Sequence, residues 1–229
     1  MRLLLSLLIL STVFAQTARA AITESDFSNL ISIFQKNYSD IEFQGSWDSD
    51  TVNAQAMRFD DSKLIVISGG LAREHGTTVD SFAVMLCHEV GHHLGEKPYF
   101  PGSFGAPGWA SGEGAADYYS IHSCFNKLAL EIPEQAITLP ETYEKDLQQI
   151  CASQADTKTC RRSLIAGFII AKLQWQVLPT KTAEPSLNAA DSTRVKSTLL
   201  EYGSPQCRLD TFIASATNSA RPACWSPTK

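Results

Sequence analysis

His88, Glu89 and His92 restrict this chain more than any other residues, because together they demand a helix, fix which face is buried and call for a second element packed on it. On a helix, positions four apart lie on one face one turn apart, so the rings of His88 and His92 can reach a single ion. Glu89 stands beside the first of them, where a carboxylate can reach a water held by that ion. The neighbouring residues fit such a helix. Thr78 begins it, Asp80 in its first turn complements the helix dipole, Phe82, Met85 and Leu86 continue the apolar spacing, and Gly95 closes it.

The third ligand decides what kind of centre this is. In the three-histidine pattern H-E-x-x-H-x-x-G-x-x-H the last ligand falls three residues after a glycine. Gly95 supplies the glycine, but Pro98 occupies the ligand position, and proline cannot bind a metal. Downstream, Glu113 and Asp117 are four apart on a helix predicted over residues 111–127, and so share a face. Glu113 would complete a two-His, one-Glu zinc site with a fourth position left for water. Asp117 would accept the second ring N–H of a zinc-bound histidine, His88 first, and fix its tautomer. Gly91, Gly114, Ala115 and Ala116 are small enough to let the two helices touch. His93 falls on another face, and His75 and His122 read as ordinary residues. The expected chemistry is hydrolysis of a peptide bond by a zinc-activated water, with Glu89 as general base.

Upstream, Phe27, Leu30, Ile31, Phe34 and Tyr38 repeat at helical spacing over 24–38. Residues 41–47, 51–59 and 63–68 read as short strands with a turn at Asp60-Asp61-Ser62, which predicts a small antiparallel sheet before the histidine helix. Residues 95–112 form a connection longer than most, rich in Gly and Pro and carrying Tyr99, Phe100, Phe104 and Trp109. It either lines a cleft or packs its aromatic rings under a surface loop. Helices are predicted over 140–152 and 157–178, and the end, 207–229, reads as irregular. The fold class expected is α+β, mainly helical, in one domain over 21–229.

Residues 1–20 read as a cleavable signal peptide: Arg2, an apolar run from Leu3 to Ala15, and Ala18-Arg19-Ala20 as the cleavage site. The expectation is a secreted or periplasmic protein without a stable membrane span. Losing Arg2 and Arg19 moves the net charge from −5 to −7, which argues against nucleic acid as a partner. Six cysteines follow: Cys87, Cys124, Cys151, Cys160, Cys207 and Cys224. An even number in an exported chain suggests up to three disulfides, with Cys151–Cys160 favoured as a short loop. Cys87 could instead be a ligand or a reactive thiol.

The order Asn53-Ala54, the strand Leu64 to Ser68, Gly70-Leu71, H-E-V-G-H and E-x-x-A-D resembles that of the HtpX-like and CAAX-prenyl-protease superfamily of gluzincin zinc peptidases, over roughly residues 52–119. The resemblance implies a zincin-like fold, a metal-dependent endopeptidase, and a protein or peptide substrate lying along an edge strand at Leu64 to Ser68 by strand addition. Many members of that superfamily also carry a His six residues before an Arg near the C-terminal end. Here Tyr202 and Arg208 have that step, as do Asn188 and Arg194. The first pair is preferred, because a Tyr O–H can donate to an oxyanion. Two further readings stay open: a non-catalytic, zinc-stabilised binding or chaperone-like module, and hydrolysis of something other than peptides.

Overall fold

The structure is a computed structural model that describes residues 22–102, 106–179 and 182–227; the expected signal peptide and Phe104 lie outside the described residues. Helix α1 (Glu24–Asn37) is opened by a capping box, with the Asp26 N–H donating to Thr23 Oγ1 at 3.1 Å and the Thr23 N–H to Asp26 Oδ2 at 3.0 Å. It buries Phe27, Leu30 and Phe34, as the spacing predicts.

Three strands follow: β1 (Ile41–Ser46), β2 (Ala54–Phe59) and β3 (Ser62–Ser68). The sheet is mixed, not antiparallel as expected. Its order is β1-β3-β2, with β2 antiparallel to β3 and β1 parallel to it. The β2–β3 hairpin obeys the turn signal, with Asp60 in the left-handed region at φ 51°. The parallel pair arises because the chain leaving β1 crosses the end of β3 before entering β2. Gly69 and Gly70 permit that crossing: a Cβ on Gly69 would lie 2.0 Å from the Trp47 carbonyl oxygen, and one on Gly70 would lie 2.4 Å from that of Asp50. Gly70 N–H donates to Ser49 O at 2.7 Å, and Arg73 from α2 (Gly69–Arg73) donates to Ser49 O and Asp50. The segment Leu64 to Ser68, expected at an edge, is therefore the central strand, paired on both sides. It offers no edge to a substrate; β2 does.

Helix α3 (Val79–Leu94) carries the motif and is buried along nearly its whole length. Thr78 and Ser81 form its capping box, and the Gly95 N–H donates to Gly91 O at 2.7 Å at its end. It packs against β2, α7 (Thr157–Val177) and the helix that begins as α4 (Glu113–Tyr119). The last continues through a π-helical segment, Ser120–Phe125, to a final turn α5 (Asn126–Leu128). The widening has a local cause: Ser215 Oγ donates to Tyr118 O at 2.6 Å and accepts from His122 N–H at 2.8 Å, so a hydroxyl stands between two groups that would pair in an α-helix. Helix α6 (Glu141–Cys151) leads to α7. The C-terminal region is not irregular throughout. Pro205–Ala216 form α8, with Ser204 as N-cap accepting from Cys207 N–H at 3.0 Å and Pro205 opening the first turn.

All six cysteines pair: Cys87–Cys124, Cys151–Cys160 and Cys207–Cys224. Cys87 is therefore neither a ligand nor a free thiol. Among the described residues no helix is long and apolar enough to cross a membrane.

Asp80, expected only to complement a dipole, is buried in an ion pair with Arg162 of α7. The guanidinium donates to both carboxylate oxygens at 2.9 and 2.6 Å, and to the carbonyls of Ala129 and Ile132 at 2.6 and 3.2 Å. Removing one partner strands the other charge, which costs about 3–5 kcal/mol. Asp80→Ala should lower stability by that amount in urea unfolding, while an exposed pair such as Lys145–Glu141 should cost under about 1 kcal/mol to remove.

Candidate metal centre

His88, His92 and Glu113 each offer one ligand atom, and these atoms all lie within 4.8 Å of one another. His88 Nε2 is 3.1 Å and His92 Nε2 3.7 Å from Glu113 Oε2. The tautomers follow from what the other ring nitrogens touch. His88 Nδ1 is 2.8 Å from Asp117 Oδ1, and His92 Nδ1 is 2.7 Å from Ser111 O. Both partners are acceptors, so both Nδ1 atoms carry a proton, and each ring meets Glu113 through Nε2.

Backbone contact sets this geometry. A Cβ on Gly91 would lie 2.9 Å from Ala116 Cα, so α3 and α4 meet there with no side chain between them. Glycine at 114 serves the other face of α4, where a Cβ would lie 2.4 Å from the ring of the buried Trp225. The N-terminus of α4 has no side-chain cap; instead the Glu113 N–H donates to Leu200 O at 2.7 Å, which ties the segment before Tyr202 to a ligand.

Glu89 lies beside the cluster, and its Oε2 accepts from the Ala56 N–H of β2 at 2.7 Å. The Ala56 N–H therefore points away from β3, and backbone alternation puts Ala54 and Arg58 on that same outer edge. The Asn53 carbonyl faces the other way, taking the Ser68 N–H at 3.1 Å. Asp117 also receives Arg208, whose Nε and Nη2 donate to its two oxygens at 2.9 and 3.0 Å. Arg208 Nη2 is 3.3 Å from the Tyr202 hydroxyl and its guanidinium lies 4.2 Å from the centre of the Tyr202 ring. The hydroxyl in turn lies 3.1 Å from His88 Nε2. The structure thus brings Tyr202 and Arg208 to the cluster with His88, Glu89, His92, Glu113 and Asp117. The other pair with the same step, Asn188 and Arg194, makes no contact with the cluster among the bonds described.

The charges are strongly coupled. Burial would lower the His88 pKa, but Asp117 and Glu113 overcome it and hold it up at about 10. Glu113 would be raised by burial, yet the bond to His88 and the two imidazoles bring it down to about 2. His92 is pushed down to about 4 by burial and the His88 charge. Burial pushes Glu89 up to about 7, against the pull of His88 and of the Ala56 N–H. The side chains alone thus keep one proton on His88, between two carboxylates. A cation in the cluster would take over that proton's electrostatic role. Glu113 Oε2 is buried against the two ring nitrogens, at 3.1 and 3.7 Å, where a carboxylate oxygen could take an ion.

The cluster opens on both sides. One cleft, about 440 Å³, is bounded by β2, Phe100, Trp109 and Tyr202. The other, about 600 Å³, has apolar walls from Leu71, Met85, Ile170 and Leu173 and shares Asn53, Ala54, His88 and Glu89 with the first. The aromatic connection serves both uses open to it. Phe100 and Trp109 line the cleft, and Trp109 also stacks on His93 at 5.0 Å under Arg58. His93, on another face of the helix, is buried, with Nε2 3.1 Å from Leu64 O of β3. The contacts of Ala56 N–H, Ser111 O and Leu200 O with the site are backbone contacts, which side-chain identity does not encode. No protein-family model, curated protein or solved structure matches this chain.

Proposed function

We propose that the chain is a zinc-dependent endopeptidase of the HtpX-like gluzincin kind, acting outside the cytoplasm on protein or peptide substrates. The observation that carries this reading is the buried group of His88, His92 and Glu113 with the Glu89 carboxylate beside it and a groove on either side. Two imidazoles and one carboxylate are a donor set suited to zinc. Bound zinc would supply a Lewis acid for the scissile carbonyl and lower the pKa of a water toward neutrality. Glu89 removes a proton from the attacking water and delivers it to the leaving amine, a role its buried carboxylate beside the cluster is placed to fill. The Tyr202 hydroxyl, oriented by Arg208, donates to the oxyanion. Asp117 keeps His88 in the tautomer that leaves Nε2 free. An extended substrate pairs with the outer edge of β2, where Ala54 and Ala56 face the groove, rather than with β3.

Three disulfides support an oxidising destination, in keeping with the apolar leader read at residues 1–20. Loaded with zinc, the chain from residue 21 onward should bind one ion and cleave members of a peptide library. A chelator should stop cleavage and added zinc restore it. Zinc-loaded, folded protein that cleaves no peptide would overturn the protease reading in favour of a binding module.

A further inference from the structure

We propose that Arg58, near the end of β2, binds a carboxylate of the substrate, so that the chains this protein cuts carry an acidic group at one fixed position, about two to four residues from the cleaved bond. The inference rests on the peptidase reading above and names a substrate class for it.

Placement comes first. In a strand every second side chain stands on the same face, so Ala54, Ala56 and Arg58 share one. Ala54 and Ala56 line the groove beside Glu89, and Arg58 continues that row about 7 Å further on. Its side chain reaches the last turn of α3, where Nη2 lies 3.5 Å from His93 O, and its guanidinium lies over the Trp109 ring, 5.0 Å from the centre. Trp109 is itself a wall of the groove. The positive charge is thus carried to the wall that an extended substrate passes.

The guanidinium is short of partners where it stands. Its Nε is buried without a hydrogen bond, and Nη2 meets only the His93 carbonyl, at the long limit of 3.5 Å. Helix α3 does not need Arg58 as a cap, because the Gly95 N–H donates to Gly91 O and the Ser111 N–H to His92 O. Arg73, Arg161, Arg162, Arg208 and Arg221 each pair with a carboxylate. Among the described residues no carboxylate pairs with Arg58, although it is half-buried. Its partner in register across the sheet is a second cation, Lys63 of β3, and the Asp40 carboxylate is held by Lys63 at 2.6 Å. Like charges facing each other across a strand pair are unfavourable, and a bound carboxylate would relieve this one.

The strand geometry says which substrate group meets it. A chain paired with the outer edge of β2 puts every second side chain on the face that carries Arg58, as a cross-strand neighbour. A guanidinium resting on an aromatic ring keeps its planar fork of N–H groups and can take a carboxylate by two parallel bonds. Trp109 already restrains the side chain, so less freedom is lost when the carboxylate binds. An Asp or Glu side chain supplies that carboxylate, and so does the end of a chain.

The test profiles the zinc-loaded protein against two peptide libraries, one with amidated and one with free C-termini. One fixed position relative to the cut should be enriched in Asp and Glu. Remaking a cleaved peptide with Gln for Glu, or Asn for Asp, at that position should lower kcat/KM by about tenfold or more, as expected when a charged hydrogen-bond partner is lost. Arg58→Glu should reverse the selection and favour Lys or Arg at the same position, while Arg58→Lys should keep a weaker acidic preference. Enrichment in the amidated library assigns the carboxylate to a side chain; a preference seen only with free C-termini assigns it to the chain end. Cleavage with no preference for a carboxylate in either library, or the same acidic preference in Arg58→Glu, would overturn the inference and leave the peptidase standing. Zinc-loaded protein that cuts no peptide would overturn both. Circular dichroism checks the fold of the variants, and the peptide replacement decides the matter without any variant.

Discussion

Glu89→Gln is expected to leave metal binding intact and to cut peptide hydrolysis by about 10²–10⁴-fold, the usual contribution of a positioned general base. The substitution is nearly isosteric. A glutamine oxygen can still accept from the Ala56 N–H, now 2.7 Å from Glu89 Oε2, so the bond between α3 and β2 is kept. What is lost is a group that can take up and return a proton near neutral pH. Burial raises Glu89 to about 7, which is costly for a carboxylate whose only task is to hold one N–H. Metal content by mass spectrometry, set beside the rate on a cleaved library peptide, separates the two effects. Undiminished hydrolysis in Glu89→Gln would remove Glu89 from the mechanism.

The second large effect is on the metal itself. Glu113→Ala should weaken binding by more than the roughly 10–100-fold that follows loss of an outer partner such as Asp117. Glu113 brings the only negative charge among the three ligands, and its Oε2 lies within 3.1 and 3.7 Å of the two imidazole nitrogens. Without it His88 and His92 are left as a two-nitrogen site. Its backbone N–H would still reach Leu200 O, so the start of α4 should survive and the loss should be local. Titration calorimetry of both proteins with zinc measures the difference. Equal affinity in Glu113→Ala would show that the third ligand lies elsewhere.

Helix spacing carried most of what could be read in advance. The positions of His88, His92, Glu113 and Asp117 follow from the 3.6-residue repeat, and Pro98 removed the competing ligand pattern by its chemistry alone. The hairpin followed from its turn. The direction of β1 did not, because it depends on a backbone crossing at Gly69 and Gly70, and periodicity within a strand says nothing about which way a neighbour runs. The same gap made Leu64 to Ser68 an edge strand, whereas β3 is the central strand of the sheet. Helix α8 was missed although Ser204-Pro205 is a start signal and Leu209 and Phe212 are buried on its face; cysteine-rich ends invite an irregular reading. Tyr202 and Arg208 are 85 and more residues beyond Asp117, and only a resemblance suggested them. Their placement depends on α8 and on the tail that carries Trp225.

Two of the three disulfides adjoin residues of the site: Cys87 immediately precedes His88, and Cys207 immediately precedes Arg208. Cys87–Cys124 joins α3 to the helix that carries Glu113, and Cys207–Cys224 joins the helix that carries Arg208 to the tail packed on α4. The two helices that carry the donor set are therefore held face to face by a covalent bond, independent of any ion. In a small zinc domain the ion itself does that work, and its removal unfolds the chain. Here stripping and reloading leave a scaffold to return to. The vulnerability moves from chelators to thiols: a reducing compartment would loosen the frame around the ligand residues whether or not an ion is bound.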